Sequence, residues 1–493
     1  MDRQSTSVPY WSWRQTVKLT LIGCALSFIT NFPSAFLHTS VNTAVASLDA
    51  YINESYIERE WQLEVHEHTM IKALVNNCWF AGQILGSLFS PWVCDSYGRK
   101  PAYLLATGVM TLACGIQALS TIFSYPEVLI IGRTMASLFS PMSDAVAILY
   151  LQEISPTHLR GVLSSLFATG YSVMAFGGMV LGMDSVLGYS LTHLLFVPVI
   201  PGLLSLVLLL WLPETPKYLM ISKKNVEGAR RSLAFYQGDK VQNELILEEY
   251  QTEAKEENMS EARMSELFTV PYLRQAMILT FMVLTLCLPF YPILQSSTSF
   301  LILVGIPEDV SQWSSSFIGV GMIVGCLFAA GFLKRFQRRS LIMSFGIGST
   351  LSVLLFAVCG AAVHEFPALR AGALVGMFGY IACWSLAVGP ISYFIGPELV
   401  PIQHRSAMFC VCYALTNVLI FISNSAALAL FRRFGAICFV PLFVIPSSLA
   451  LVYLYVYLPE TKNKETHVIV AMLKAGSRKI HAVPEILDEK ASI

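Results

Sequence analysis

Charged residues are scarce in this 493-residue sequence. Asp, Glu, Lys and Arg make up 13% of it, whereas roughly a quarter is usual in a soluble protein. Hydrophobic residues make up 55%, and the mean hydropathy is +0.60. The 32 basic residues balance the 32 acidic ones, so no net charge attracts nucleic acid. The lipid bilayer is therefore the expected surrounding of most of the chain.

Other signals are missing as well. The eleven cysteines lie almost all inside apolar runs, which predicts no structural disulfide and no Cys/His metal site. The sequence has no phosphate-binding loop, nucleophile motif or cofactor loop, so we expect neither enzymatic activity nor a cofactor. The first 15 residues lack the short apolar core of a cleaved signal peptide, and the N-terminus is expected to stay in the cytoplasm. No feature indicates an oligomeric state.

Twelve apolar stretches are long enough to cross a membrane as helices, which predicts an all-α membrane protein. A crossing helix needs about 20 apolar residues, because its backbone amides must be satisfied within the segment. The predicted spans lie near residues 18–40, 70–92, 101–121, 127–150, 162–185, 190–211, 274–295, 312–333, 341–362, 371–396, 406–430 and 436–458.

A long polar stretch divides these spans into six plus six. It follows span six and is rich in Glu, Lys and Arg. Two six-helix halves joined by a linker resemble the major facilitator arrangement, in which the halves rock about a central site. The predicted regions are an N-terminal segment (1–17), a first half (18–212), a linker with helical segments (213–273), a second half (274–458) and a C-terminal tail (459–493).

The positions of Lys and Arg predict the orientation of the chain. Basic residues follow spans two, four, six and eight, whereas the loop after span one is mostly acidic. Both termini and the linker are therefore expected in the cytoplasm, with the plasma membrane as the expected location. The acidic outer loop contains Asn53-Glu54-Ser55, an N-glycosylation sequon in an accessible place.

Charged motifs recur at equivalent places in the two halves. Asp95-Ser-Tyr-Gly-Arg-Lys100 joins spans two and three, and Lys334-Arg-Phe-Gln-Arg-Arg339 joins spans eight and nine. Two acid and arginine pairs with the same seven-residue spacing follow spans four and ten, namely Glu153 with Arg160 and Glu398 with Arg405. The duplication favours a gate whose charges pair when the inner mouth closes. The alternative is that these charges only fix the topology or the helix ends.

Five motifs, in order along the chain, resemble the signatures of the sugar porter family. They are Asp95 to Lys100, Tyr150-Leu-Gln-Glu-Ile-Ser-Pro156 with Arg160-Gly161, Leu212-Pro-Glu-Thr-Pro-Lys-Tyr-Leu219, Gly389-Pro-Ile-Ser-Tyr393 leading to Glu398, and Leu458-Pro-Glu-Thr-Lys462. The resemblance covers nearly the whole chain. The organic-cation branch shares some of these motifs, but its members usually have a much longer first outer loop than the 30 or so residues here.

This resemblance implies a twelve-helix transporter with its sugar site midway across the membrane. The residues that it places at the inner gate are Asp95, Arg99, Lys100, Glu153, Arg160, Arg338, Arg339, Glu398 and Arg405. Two positions depart from the family pattern, because Ser96 replaces a basic residue and Lys334 stands where an acid is usual. The second departure predicts a weakened or rewired charge network in the second half.

Most of the amides that hold glucose in the resembled family are missing. Thr285, Leu286, Ala168 and Met322 stand where relatives carry Gln or Asn. An unmade hydrogen bond costs about 1 to 3 kcal/mol, which argues against ordinary glucose recognition. The residues expected to bind the substrate instead are Tyr393, Thr416, Asn417, Tyr291 and Gln295. The alternatives are a packed tyrosine for Tyr393 and a solvated helix-end amide for Gln295.

A polar stripe on span four is the most unusual signal. Arg133, Ser137, Ser140 and Asp144 are four, three and four residues apart, so they lie on one helix face. A carboxylate within the membrane is costly and usually faces a cavity or a partner. Three interpretations of Asp144 stay open: it binds a polar or cationic substrate, it carries a coupling proton, or it pairs with a histidine or tyrosine.

Small residues are predicted to permit close helix crossings in three spans. The glycine pairs are Gly82 with Gly86, Gly178 with Gly182, and Gly321 with Gly325.

The leading functional hypothesis is a carrier that moves a small solute, a hexose or related sugar, by alternating access. A second hypothesis is a proton-coupled or organic-ion carrier that uses Asp144. A third is a non-transporting nutrient sensor. The expected partners are a sugar-like solute and the bilayer, with no nucleic acid.

We expect Asn53 to carry an N-linked glycan, because its sequon lies in the predicted outer loop. Enzymatic removal of N-glycans should shift the electrophoretic mobility of the protein made in eukaryotic cells, and Asn53→Gln should abolish that shift. Asn258→Gln is the control, since its sequon lies in the predicted cytoplasmic linker. A glycan that survives Asn53→Gln would contradict the predicted orientation or the use of this site.

Overall fold

The structure is a computed structural model that describes residues 13–238, 242–257, 265–401, 404–462, 464 and 466–475. All regular secondary structure within these ranges is helical. The first half contains α1 (Trp13–Thr30), α2 (Leu37–Thr43), α3 (Val45–Ile57), α4 (Val65–Tyr97), α5 (Arg99–Ile122), α6 (Pro126–Ile154), α7 (Thr157–Leu181), α8 (Leu191–Phe196) and α9 (Val199–Trp211).

The linker and the second half complete the order of helices. The linker contains α10 (Pro216–Ile221), α11 (Val226–Gln237), α12 (Gln242–Glu257) and α13 (Glu266–Thr269). The second half contains α14 (Pro271–Thr285), α15 (Phe290–Leu303), α16 (Glu308–Arg335), α17 (Arg338–Ala362), α18 (Leu369–Cys383), α19 (Gly389–Glu398), α20 (Arg405–Phe434) and α21 (Ile445–Tyr457), and α22 (Thr466–Ala475) follows it.

Each of the twelve predicted spans coincides with a helix or with two consecutive helices. Within the described residues, ten segments are long and apolar enough to cross a membrane by length and composition. The other two predicted spans correspond to α4, which carries charged residues at its ends, and to α7. The eleven cysteines all have free thiols.

Turns between the spans follow from local backbone chemistry. Gly98 separates α4 from α5 with a φ of +108°, a conformation that favours glycine. Gly435 ends α20 with a φ of +69°. Proline begins α6 and α14, where its missing N–H would have no helical partner. We call the membrane face that carries the linker helices the linker face.

Several spans are broken near the middle of the protein. A π-helical turn at Phe32–Phe36 joins α1 to α2, and another at Trp384–Val388 joins α18 to α19. Span seven is interrupted between α14 and α15, and Ser296 inside α15 has non-helical angles, with φ of −139° and ψ of 15°. Irregular backbone at membrane depth is tolerated only where it is buried in protein or lines a cavity. These breaks therefore mark the centre of the molecule as the place for a site.

Glycines allow the close crossings predicted for spans two and five. A Cβ on Gly82 would lie 1.9 Å from Ser137 Oγ, and one on Gly86 would lie 2.1 Å from the Leu138 carbonyl oxygen. The Gly178 and Gly182 positions are equally crowded by α2, with contacts of 2.5 and 2.2 Å. In span eight only one glycine is needed: Gly325 would meet Ser385 Oγ at 2.0 Å, whereas the nearest atom to Gly321 is 3.7 Å away. The close crossing of span eight is therefore at Gly325.

The halves meet mainly through three helix pairs, α4 with α20, α7 with α16, and α2 with α15. The first two pairs are related by the six-helix repeat, since spans two and five of the first half meet spans eleven and eight of the second. Asn53, the predicted glycosylation site, is exposed on α3, at the face opposite the linker.

We predict that Gly86→Leu destabilises the fold, because its side chain would displace the α6 backbone at Leu138. Overpacking of this kind costs about 1 to 3 kcal/mol. Thermal unfolding of detergent-solubilised protein, followed by fluorescence-detected size exclusion, measures the effect. Gly115→Leu is the matched control, since nothing lies within 4 Å of its Cβ position. Equal melting temperatures for the two variants would contradict the close crossing.

Candidate functional site

A cavity of about 560 Å³, counted with its open mouth, lies among the helices of the second half. Its wall combines aromatic rings, hydroxyls, thiols and one amide: Tyr291, Trp384, Tyr413, Thr280, Ser392, Thr416, Cys287, Cys412 and Asn417. Gly396 and Pro397 also line it, next to Glu398 at the linker face, so the cavity extends towards that face.

Two hydrogen-bond donors in the cavity wall make no hydrogen bond of normal length to any residue that the structure describes. Asn417 is 1% exposed and its Nδ2 is unbonded, and the indole Nε1 of Trp384 is unbonded as well. The hydroxyls of Thr416 and Ser392 donate to backbone carbonyls of Cys412 and Gly389, at 2.8 and 2.6 Å, and their lone pairs can still accept. A buried polar group without a partner is rare and needs an explanation, and a bound ligand supplies one.

The aromatic wall of the cavity is held in place by other rings. Trp384 stacks on Phe290, with ring centroids 3.7 Å apart and planes inclined by 9°. Tyr291 meets the edge of Phe80 in the first half at 5.4 Å. The wall therefore connects the cavity of the second half to α4.

Three of the predicted substrate-binding residues line this cavity, namely Tyr291, Thr416 and Asn417. Tyr393 follows Ser392 on α19, and its side chain lies outside the described residues. Gln295 does not reach the cavity. Its Nε2 donates to the Asn76 carbonyl at 3.2 Å, and its Oε1 accepts from Asn424 at 2.7 Å.

Gln295 belongs to a set of amides that joins the two halves, and we call this set the amide seam: Asn42, Asn77, Gln295 and Asn424. Asn424 Nδ2 also donates to Asn77 Oδ1 at 2.5 Å. Asn42 Nδ2 donates to Ser297 Oγ at 2.8 Å, and Ser297 in turn donates to Ser315. Each of these amides is buried. The amide seam closes the halves against each other on the side of the cavity away from the linker face.

The polar stripe of α6 divides into a structural part and an accessible part. Arg133 is 1% exposed, and it donates to the carbonyls of Val75 and Leu37 at 2.8 and 3.2 Å. Ser137 donates to the Thr134 carbonyl in the same helix and lies 3.5 Å from the Cys78 carbonyl of α4. Ser140 lies 3.1 Å from Ser34 Oγ, so both serines contact other elements of the first half. Asp144 alone is partly exposed.

Two tyrosines are electrostatic neighbours of Asp144. Its carboxylate accepts a hydrogen bond from Ser140, and it acts electrostatically on Tyr171 and Tyr413. The Tyr171 hydroxyl lies 3.2 Å from His38 Nδ1. Tyr413 belongs to α20 and lines the cavity, so Asp144 faces the second half from α6.

At the linker face of the first half, charged residues form a cluster around the repeated Pro-Glu-Thr motif. Arg99 Nε lies 3.1 Å from Glu153 Oε1, and Thr215 Oγ1 donates to the other oxygen of Glu153 at 2.5 Å. Glu214 accepts from the backbone N–H of Lys100 at 3.0 Å, where α5 begins. A carboxylate is stabilised there by the helix dipole. Burial raises the pKa of the Glu214 carboxyl above its usual range, and the backbone N–H groups of Thr215 and Lys100 oppose that shift.

The second half repeats this cluster residue by residue. Arg338 Nε lies 3.1 Å from Glu398 Oε2, and Thr461 Oγ1 donates to Glu398 at 2.7 Å. Glu460 accepts from the backbone N–H groups of Arg338 and Arg339, both at 3.0 Å, where α17 begins. The weakened network predicted for the second half is therefore absent at this pair, although the acid usual at position 334 is missing.

The remaining predicted gate residues have separate positions. Lys100 Nζ donates to the Leu210 carbonyl at 3.0 Å, and Arg339 Nη2 donates to the Tyr455 carbonyl at 2.6 Å. Arg405 is the first residue of α20 and is half-buried. The side chains of Asp95 and Arg160 lie outside the described residues.

The sequence model of one family, described as sugar (and other) transporter, matches residues 19–473. The chain belongs to this family. Among curated relatives, mouse (Mus musculus) facilitated glucose transporter member 9 of solute carrier family 2 is 26% identical, over 97% of this chain and 91% of the relative. Chicken (Gallus gallus) member 2 is 28% identical, over 86% of this chain and 80% of the relative.

Solved structures show the same fold for this transporter. The inward-open conformation of the xylose transporter XylE from E. coli has a TM-score of 0.73 at 15% identity, over 92% of this chain and 99% of that one. The proton:xylose symporter XylE bound to 6-bromo-6-deoxy-D-glucose has a TM-score of 0.72 at 18% identity, over 94% and 100% of the two chains. The predicted all-α membrane fold of the major facilitator type is confirmed.

Sequence reasoning missed two sets of functional candidates in this transporter. The amides Asn42, Asn77 and Asn424 were not singled out, although an amide inside an apolar span is costly enough to need a partner. The glutamates of the two Leu-Pro-Glu-Thr motifs, Glu214 and Glu460, were quoted but given no role. Their repetition half a chain apart was the available signal.

We predict that Asn424→Ala loosens the amide seam, because it leaves Asn77 and Gln295 buried without this partner. An unmade buried hydrogen bond costs about 1 to 3 kcal/mol, equivalent to roughly 5-fold to 150-fold in an equilibrium. Hydrogen exchange with mass spectrometry should show at least about 5-fold faster exchange in α2 and in the half of α20 that follows residue 417.

Ser423→Ala is the control for this experiment. Ser423 is next to Asn424 on α20, and its hydroxyl donates only to the carbonyl of Ile420 in the same helix. Unchanged exchange in Asn424→Ala, or the same increase in both variants, would exclude the seam as the element that holds the halves closed.

Proposed function

We propose that this transporter moves a hexose or a related sugar across the plasma membrane by facilitated diffusion. In this proposal the linker face is the cytoplasmic face, and both termini lie on that side. The observation that carries it is the cavity among the helices of the second half, where the Asn417 amide and the Trp384 indole make no hydrogen bond of normal length to any described residue. The names of the relatives support the cargo class, since they are facilitated glucose transporters.

The cavity wall suits a molecule with one apolar face and several hydroxyls. Asn417 offers two amide donors and one acceptor, and the indole of Trp384 offers a further donor. The hydroxyls of Thr416 and Ser392 accept from the ligand. The rings of Tyr291 and Tyr413 can cover the C–H face of a sugar. This donor set differs from the amides of glucose-carrying relatives, so it predicts a different order of preference among sugars.

Alternating access follows from the way in which each half is held together. The charge clusters lie within one half each and tie the ends of its spans at the linker face. The amide seam joins the halves at the other face. Opening the seam while the linker-face ends of the halves approach would expose the cavity to the outside, as rigid-body rocking requires. The charged residues predicted as an inner gate would then approach each other across the halves.

A second candidate function is a proton-coupled or organic-ion carrier. The partial exposure of Asp144 and its electrostatic interaction with Tyr413 of the second half favour it. A non-transporting sensor keeps the same fold and is distinguished only by experiment.

Uptake of radiolabelled solutes into transporter-deficient cells tests the proposal. Hexoses, polyols and organic cations are compared at two external pH values, with surface expression measured in parallel. We expect saturable hexose uptake above the vector control that does not change with pH. Asn417→Ala should lower hexose uptake by about 5-fold to 150-fold, the equivalent of one lost hydrogen bond, whereas Ser423→Ala on the same helix should retain it.

Other outcomes point to the other functions. Sugar uptake that rises as the external pH falls would replace facilitated diffusion by proton coupling. Binding without uptake of any solute, at normal surface expression, would indicate a sensor. Uptake of organic cations without uptake of any sugar would exclude a sugar as the cargo.

A further inference from the structure

Asp144 is a carboxylate near the middle of the membrane without a basic partner among the residues that the structure describes. Its only described hydrogen-bond partner is Ser140, and its described electrostatic neighbours are the tyrosines Tyr171 and Tyr413. Two other charged groups within the spans have described partners. Lys72 lies 2.7 Å from Asp49, and Arg133 donates to two backbone carbonyls.

A charge in this position needs a counter-charge. Transfer of an unpaired carboxylate from water into the membrane interior is costly, and such groups usually face a cavity or a partner. Asp144 is partly exposed, whereas the other three members of its stripe are buried. Its electrostatic neighbour Tyr413 belongs to α20, so Asp144 lies on the side of α6 that faces the second half across the space between the halves.

The cavity of the second half lies directly across this space. Tyr413 lines the cavity, interacts electrostatically with Asp144 and lies beside the amide of Asn417, which is one helical turn further along α20. A ligand held by the free amide of Asn417 is therefore next to Tyr413 and faces Asp144. The two halves would share that ligand, with the amide on one side and the carboxylate on the other.

The cavity wall also favours positive charge. Among its lining residues there is no Lys, Arg or His, and three are aromatic: Tyr291, Trp384 and Tyr413. Aromatic faces attract ammonium groups, most strongly those of Trp and Tyr. An aromatic wall opposite an unpaired carboxylate is the arrangement expected for a cationic amine, and nothing basic competes for the place.

We propose that the cargo of this transporter is an amine-bearing sugar, whose ammonium group pairs with Asp144 while its hydroxyls bind Asn417 and Thr416. This inference rests on the proposed sugar-carrier function and specifies it. The carboxylate supplies the attraction that the missing span-five, span-seven and span-eight amides do not. The first half thereby contributes one charged contact, and the second half contributes the cavity.

Three radiolabelled probes that differ at one carbon test the pairing in whole cells. Glucosamine carries an ammonium group at that carbon, glucose a hydroxyl, and N-acetylglucosamine a neutral amide. The measured quantity is the ratio of glucosamine uptake to glucose uptake, each as kcat/KM. We expect a ratio of at least about 10 for the wild type, since charge-assisted hydrogen bonds are roughly twice as strong as neutral ones. N-acetylglucosamine should be no better than glucose.

Asp144→Asn should lower this ratio towards 1, and Asp144→Glu should retain a preference for glucosamine. Asp309→Asn is the control, because Asp309 is an exposed carboxylate at the start of α16. Surface expression of each variant separates loss of binding from loss of folding. The ratio is insensitive to expression level, so a poorly expressed variant is still informative.

The outcomes separate this inference from the proposed function. If the wild type takes up glucose with a ratio of glucosamine uptake to glucose uptake near 1, the amine-bearing cargo is contradicted but the sugar-carrier function is still supported. If Asp144→Asn leaves the uptake ratio unchanged but removes a pH dependence of uptake, the amine-bearing cargo is contradicted. That result would indicate that Asp144 carries a coupling proton. Uptake of choline without uptake of either sugar would overturn both proposals.

Discussion

Inside a membrane a polar group must find its partner within the protein, because lipid offers none, and the rest of this structure depends on that constraint. The backbone satisfies it by forming helices, and it breaks them only near the centre. Buried amides satisfy it by bonding across the halves. The same constraint makes the exceptions in the cavity wall informative, since the Asn417 amide and the Trp384 indole make no hydrogen bond of normal length to any described residue.

The clusters at the linker face show that the same set of contacts occurs in both halves. In both halves a Glu of a Leu-Pro-Glu-Thr motif binds the first N–H groups of the helix that follows the basic loop. The adjacent Thr binds the Glu at the end of span four or ten, which also pairs with an Arg. Three spans are thereby tied together at one point in each half. This arrangement lets each half move as a body, while the amide seam sets which face is closed.

Much of the fold could be predicted from the sequence, because long apolar segments and their basic loops have few alternative arrangements. The spans and the six-plus-six division follow from periodicity and duplication. The pairing of Arg99 with Glu153 and of Arg338 with Glu398 was not predicted, because spacing along the chain placed those glutamates beside Arg160 and Arg405. The site was harder to predict. Gln295 and Asn417 are both amides in apolar spans, yet one is used to close the halves and the other lines the cavity. The difference depends on the kink at Ser296 and on the facing residues of α4, which local sequence does not encode.

The polar stripe of α6 shows the same limit of prediction from sequence. Four residues on one face of α6 looked equivalent by spacing, but three of them meet partners inside the first half. Helical periodicity gives the direction of a side chain, whereas its neighbours come from the packing of other helices. Only the position of Asp144 opposite Tyr413 distinguishes it.

The lining of the cavity comes entirely from the second half, so that half can hold a solute while the first half remains at a distance. Occupancy and translocation are then separate events. A solute that satisfies only the cavity would sit in it without drawing the halves together, and it would act as a blocker. A solute that also reaches α6 bridges the halves and lowers the free energy of the occluded intermediate. Selectivity in such a carrier is therefore exercised during movement as well as during binding.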